Sequence, residues 1–111
     1  MAKFLSPQRE YDRLRRRLSQ LGYISQGSVQ DRTTRQGGGA GYQWTRKLSG
    51  KTITLALSQE QFQALRQAIR NRRTLARTIQ RMENLSRQIL FATLPDTRRR
   101  KRLNPKDLHP N

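Results

Sequence analysis

The stretch Tyr42-Gln43-Trp44-Thr45-Arg46-Lys47-Leu48-Ser49-Gly50-Lys51-Thr52-Ile53-Thr54-Leu55-Ala56-Leu57-Ser58-Gln59-Glu60-Gln61-Phe62 carries two structural instructions in succession. Tyr42, Trp44, Arg46 and Leu48 recur at every second position, as do Ile53, Leu55 and Leu57, and a strand sends such residues to one face. Ser49-Gly50 between the two runs is a two-residue turn signal, so the reading is a β-hairpin over about 42–57. Ser58 and Gln61 then form a capping box, with Leu57 and Phe62 at the two positions of a hydrophobic staple. A helix therefore starts at about residue 59. No Pro or Gly follows until Pro95, so that helix is expected to run to about Leu94.

Upstream, Ser6 before Pro7 is a helix start, and Glu10 and Asp12 suit the positive end of its dipole. Tyr11, Leu14, Leu18 and Leu21 lie on one face, and Gly22 offers a left-handed stop, which predicts a first helix over roughly 7–21. Residues 24–32 read as a weak strand, broken by Gln36-Gly37-Gly38-Gly39-Ala40-Gly41. The expected fold class is α+β: an N-terminal helix, a small antiparallel sheet and one long C-terminal helix. Residues 1–94 are expected to form one small basic domain, and 95–111 a disordered basic tail. The far half of the long helix, with its stripe Leu75, Ile79, Met82, Leu85 and Ile89, needs a cover. Either the first helix folds back on it or a second copy makes a homodimer through a short coiled coil.

Charge narrows the function. The chain has 111 residues, with 24 Lys and Arg against 7 Asp and Glu, for a net charge of +17. Nineteen of the 24 are Arg, whose planar fork grips phosphate in a bidentate way that Lys does not. The excess is spread along the chain, so the folded part itself must present a positive surface. Cysteine is absent, which excludes disulfides and thiolate metal sites. There is neither an apolar run long enough for a membrane span nor a signal-peptide stretch, so no membrane partner and a cytoplasmic location are expected.

Catalytic chemistry has no foothold. The seven acids are scattered, His109 is the single histidine, and no carboxylate pair, triad or zinc set can be assembled from them. Gly50-Lys51-Thr52 resembles the end of a phosphate-binding loop, but Thr45 stands where that loop needs Gly and a strand follows instead of a helix. The expectation is a protein that is not an enzyme and that uses no cofactor or metal.

The basic residues do form patterns. Arg66, Arg70, Arg73, Arg77 and Arg81 step by four, three, four and four, which holds them within about an 80° arc of one helix. No acid on that helix separates Glu60 from Glu83. Arg9, Arg13, Arg16 and Arg17 make a second patch on the first helix. Arg35 flanks the Gly-rich segment, which reads as a slack connector or as bare backbone approaching phosphate. Arg46 and Lys47 lie beside Tyr42 and Trp44; Trp44 shares a face with Leu48 and reads as core, which leaves Tyr42 as the better candidate for base stacking. Arg98, Arg99, Arg100, Lys101 and Arg102 complete the expected nucleic-acid-binding set in the tail.

The segments Gly41-Tyr42-Gln43-Trp44-Thr45-Arg46-Lys47, Gly50-Lys51-Thr52 and Leu57-Ser58-Gln59-Glu60-Gln61 resemble a family of small uncharacterised bacterial proteins. That family is common in cyanobacteria and is often encoded beside transposase or other mobile-element genes. The likeness covers about residues 25–80. Its members usually carry a cysteine cluster before the hairpin, where this chain reads Arg32-Thr33-Thr34-Arg35-Gln36-Gly37-Gly38-Gly39. The resemblance implies an accessory role in a mobile-element or RNA-guided nucleoprotein, beside a larger effector or a transposase. The expected function is a non-catalytic nucleic-acid-binding subunit, with structured RNA favoured over DNA because Arg-rich surfaces recur on every element. The alternatives are a transposon-associated DNA-binding protein and a helical interaction or dimerisation subunit.

Overall fold

The computed structural model describes residues 6–33 and 41–97. Arg35, Arg98, Arg99, Arg100, Lys101 and Arg102, and with them most of the expected tail, lie outside the described residues. The element order is α1 (Pro7–Leu18), β1 (Ser28–Asp31), β2 (Tyr42–Leu48), β3 (Lys51–Leu57) and α2 (Gln59–Thr93), which is an α+β fold. At 1.5 Å per residue, α2 is about 52 Å long. The chain divides into two compact units, one formed by residues 21–74 and the other by residues 1–20 with 75–111, and α2 runs through both.

In the sheet unit the strands are antiparallel in the order β1-β2-β3. The turn takes the form that the sequence asks for: Ser49 and Gly50 have φ of 51° and 80°, two consecutive left-handed residues matching the natural twist of a hairpin. Tyr42 stands opposite Leu57, Trp44 opposite Leu55 and Arg46 opposite Ile53, so these residues share a face. That face meets the first half of α2, where Phe62, Ala68 and Ile69 are buried. The Tyr42 and Phe62 rings lie 4.6 Å apart between centroids, tilted by 33°. Burying Phe62 and Ile69 contributes roughly 1.5–3 kcal/mol each. The opposite face carries Ser28, Gln30, Lys47, Thr52 and Thr54, all exposed.

The capping box forms as expected. The Ser58 hydroxyl accepts from the Gln61 N–H at 3.1 Å, and the Gln61 side-chain oxygen accepts from the Ser58 N–H at 3.0 Å.

β1 is shorter than the expected 24–32 because the backbone before it is committed elsewhere. The Tyr23 carbonyl accepts from Asn71 Nδ2 at 2.9 Å, the Ser25 N–H donates to the Ala68 carbonyl at 3.2 Å, and the Gln26 carbonyl accepts from Trp44 Nε1 at 2.9 Å. Gly27, at φ 103°, turns the chain into the ladder. A Cβ there would stand 2.4 Å from Trp44 Nε1 and 2.6 Å from the Thr45 carbonyl, so only glycine fits.

The helical unit pairs α1 with the second half of α2. Ser6 caps α1, its hydroxyl accepting from the Arg9 N–H at 3.2 Å. The helix ends at Leu18, not 21. The Ser19 hydroxyl and N–H both donate to the Arg16 carbonyl, at 2.7 and 3.2 Å, and close the last turn; Gly22 is not left-handed and plays no part in the stop. Leu14 and Leu85 are the buried residues of this unit, Leu85 at 1 % exposure. Glu10 bonds Arg81, and Gln8 and Tyr11 share a hollow with Ser86 and Ile89, so α1 lies against the second half of α2. Of the two covers expected for the far half of α2, folding back of α1 is the one present in the chain.

Candidate nucleic-acid interface

In the sheet unit, β1 is an edge strand, and among the described residues one side of its backbone has no partner strand. Ser28 and Val29 of that strand line a hollow together with Arg66, Ile69, Arg70 and Arg73 of α2. The three arginines lie within about 60° of the helix circumference, at the margin of the face that packs on the sheet. All three are exposed. No acid lines the hollow, and none of the three forms an ion pair among the described residues. The acid on β1, Asp31, is turned to its own chain: its carboxylate accepts from the Thr33 hydroxyl at 2.5 Å and the Thr33 N–H at 3.0 Å, and these bonds hold its pKa below the ordinary value. The hollow thus combines the apolar side chains of Ile69 and Val29 with three guanidinium groups and Ser28, whose hydroxyl is hydrogen-bonded to that of Thr45 at 3.1 Å. Guanidinium groups so placed have the chemistry for charge-assisted, bidentate hydrogen bonds to an anion.

The helical unit treats its arginines differently. Arg81 donates from Nε and an Nη to the two carboxylate oxygens of Glu10, at 2.8 and 2.9 Å. The hydrogen bond from Arg81, together with the charges of Arg81 and Arg13, lowers the Glu10 pKa against the opposing effect of burial, and Glu10 raises that of Arg81. The row of five was expected to be without acids. Its last member has an acid after all, contributed by α1, 71 residues away in sequence. Arg77 is exposed with no ion pair among the described residues, as are Arg9, Arg13, Arg16 and Arg17 on α1.

The hairpin separates the residues that the sequence placed side by side. Arg46 lies on the packed face, half-buried, its Nε without a partner, while Lys47 is exposed on the other face, in a hollow lined by both residues with Gly27, Ser28, Thr45 and Thr52. Successive residues of a strand point oppositely, so the two cations leave β2 from opposite faces although both residues line that hollow. Tyr42 was the expected stacking residue, but one face of its ring is taken by Phe62, and it is half-buried. Trp44 is half-buried, its Nε1 donating to the Gln26 carbonyl and its indole backed by Gly27.

Several residues escaped the sequence reading. Ser28 joins the arginine hollow, and Arg32, whose Nη donates to the Gln43 side-chain oxygen at 3.2 Å, lies half-buried at the end of β1. Tyr23 is 91 % exposed. Among the described residues no cluster of His, Cys, Asp and Glu is placed to hold a metal ion, and no helix is long and apolar enough to cross a membrane. No family model, curated protein or solved structure matches the chain.

Proposed function

We propose that this chain is a non-catalytic subunit that binds nucleic acid by its phosphate backbone. The observation that carries the reading is the convergence of Arg66, Arg70 and Arg73 on one hollow beside β1 with no acid to neutralise them. Concentrating three like charges costs folding free energy through repulsion, which a polyanion relieves. The sheet unit as a whole sets nine cations against two acids. Such contacts fix a backbone in place and read little sequence. Structured RNA in a mobile-element or RNA-guided nucleoprotein is the finer form of this reading, supported by basic patches on both units and by the resemblance around the hairpin.

The test is a filter-binding titration with salt. Neutralising Z phosphates gives log K a slope of about −0.9Z against log salt on duplex DNA and about −0.7Z on single strands. A slope steeper than about −4 is expected for a 20-mer of either kind, and a nearly flat response overturns the electrostatic mechanism.

A second reading, an interaction or dimerisation subunit, has its own observation. Ile79 and Leu90 lie within about 20° of arc on the second half of α2, with Leu94 just past its end, and the three are 44 %, 50 % and 58 % exposed, so α1 leaves them open. Sedimentation of nuclease-treated protein separates the two: a stable dimer that binds no nucleic acid supports the second.

A further inference from the structure

Among the described residues the most exposed aromatic is Tyr23, at 91 %. An aromatic ring in water is ordinarily found on a loose segment, but this one is presented by a fastened backbone. The Tyr23 carbonyl is bonded to Asn71 and the Ser25 N–H to the Ala68 carbonyl, and Gly22 lies so close that a Cβ there would touch Asn71 Nδ2 at 3.4 Å. Residues 22–25 are thereby held along α2 while the ring projects.

Tyr23 is one of the residues that line an open groove of about 450 Å³. Ile24 lines it as well, 51 % exposed, and Leu57, Ala64, Leu65 and Ala68 make the floor. The two alanines keep that floor shallow, which suits a flat ring better than a branched side chain. Gln61 supplies a polar edge. Its side-chain oxygen is used by the cap of α2, but its amide N–H groups are free to donate into the groove. Arg72 lies one turn beyond Ala68 on the same side of the helix, exposed and without an ion pair among the described residues. Arg72 does not itself line the groove, but its position one turn from Ala68 puts a cation on the same side of α2.

We propose that the Tyr23 groove receives an unpaired nucleobase, stacked on the Tyr23 ring over the alanine floor, with Gln61 donating to the base edge and Arg72 holding the adjacent phosphate. Flatness, a hydrogen-bonding rim and an attached negative charge describe a nucleotide, whereas an apolar peptide offers carbonyl acceptors to Gln61 but no anion to Arg72. A second copy of this chain brings like charge to a unit that already has nine cations against two acids. A paired base cannot enter without leaving its stack, so the groove selects single-stranded segments, loops or bulges over uninterrupted duplex. This inference rests on the reading that the protein binds nucleic acid, and adds to it a preference that the arginine hollow does not supply.

The experiment uses the full chain with a 20-nucleotide single strand carrying 5-iodouracil and a blunt duplex of equal length. Photocrosslinking followed by peptide mapping is expected to place the adduct on Tyr23. Tyr23→Ala is expected to weaken single-strand binding about tenfold, the lower range for one base on one aromatic ring, while changing duplex binding by less than about twofold. Tyr23→Phe retains the ring and is expected to bind as the parent does. Arg72→Gln is expected to weaken single-strand binding and make its salt slope shallower by about 0.7. Tyr23 is almost fully exposed, so its replacement leaves the fold intact, which circular dichroism checks. Adducts confined to other residues, an alanine variant that binds both probes normally, or equal losses on both overturn the proposal while leaving the phosphate-binding reading standing. A variant that changes sedimentation and not binding assigns the groove to a protein partner. A parent protein that binds neither probe removes both readings together.

Discussion

Arg70 and Arg81 are the same side chain on the same helix, in one evenly stepped row, yet their surroundings differ. Near the sheet, Arg66, Arg70 and Arg73 ring a hollow with no acid; in the second half of α2, Arg81 is clamped by both carboxylate oxygens of Glu10. One half of the helix keeps its charge available, and the other spends part of it on joining two helices. Periodicity in the sequence defines a row, but tertiary partners decide which members of the row can reach a ligand.

The comparison can be broken from either side, and the largest effect is expected in the helical unit. Leu85→Ala removes its best-buried side chain and should cost about 2–5 kcal/mol, read as a lower denaturation midpoint. At temperatures where the variant is still folded, its salt slope for nucleic acid should match the parent's; a collapsed slope would show that the two halves do not divide these tasks. In the sheet unit the matching change is Arg66, Arg70 and Arg73 to Gln together. Helix propensity is nearly retained, so melting should be unchanged or slightly higher. Binding in about 0.1 M salt should fall on the order of a hundredfold, with a duplex slope shallower by about 2–3. Normal binding with lost solubility or altered oligomeric state would hand the row to the interaction reading.

Smaller effects sharpen the boundary between the halves. Glu10→Gln releases Arg81, whose side chain is 47 % exposed, so solvent screening limits the stability lost to at most about 1 kcal/mol. The freed guanidinium should steepen the salt slope by less than about 1. An unchanged slope would mean that Arg81 lies away from the bound backbone even when available. The pH dependence has a fixed sign. The folded Glu10 pKa is held below the ordinary value by the Arg81 hydrogen bond, so the pair's contribution is fully present above about pH 4.3 and is lost as pH falls through the lowered folded value. Thermal melts of parent and Glu10→Gln should therefore converge in acid and separate toward neutrality.

Local chemistry was legible in the sequence and distant chemistry was not. The Ser49-Gly50 turn, the alternation on either side of it and the Ser58–Gln61 box each act within a few residues, and each forms where the sequence puts it. The end of α1 was misread because Gly22 is a common stop signal, whereas a serine three residues earlier closes the turn with its own hydroxyl. Arg81 was read as unpaired because Glu10 lies 71 residues away. Tyr42 looked open because strand alternation gives its face but not what covers that face, and Phe62 does. Tyr23 carried one faint signal, an aromatic directly after a helix and a glycine. Its exposure depends on Asn71 and Ala68 fastening the backbone, which no local pattern announces.

The unpaired side of β1 has a further consequence. An open strand edge is a template on which another copy of the same chain can extend the sheet, and aggregation commonly starts there. Here the edge is only four residues long and stands beside three guanidinium groups, so two copies approaching edge to edge bring those charges together. The arginines act as an electrostatic fence, and the fence has a range. At physiological ionic strength it reaches about 8 Å, and at 1 M salt about 3 Å, less than the spacing of neighbouring strands. Concentrated salt, often added to strip nucleic acid from a basic protein during purification, therefore lowers the barrier that keeps these edges apart, and the protein is best kept colloidally stable by leaving its fence either charged or occupied.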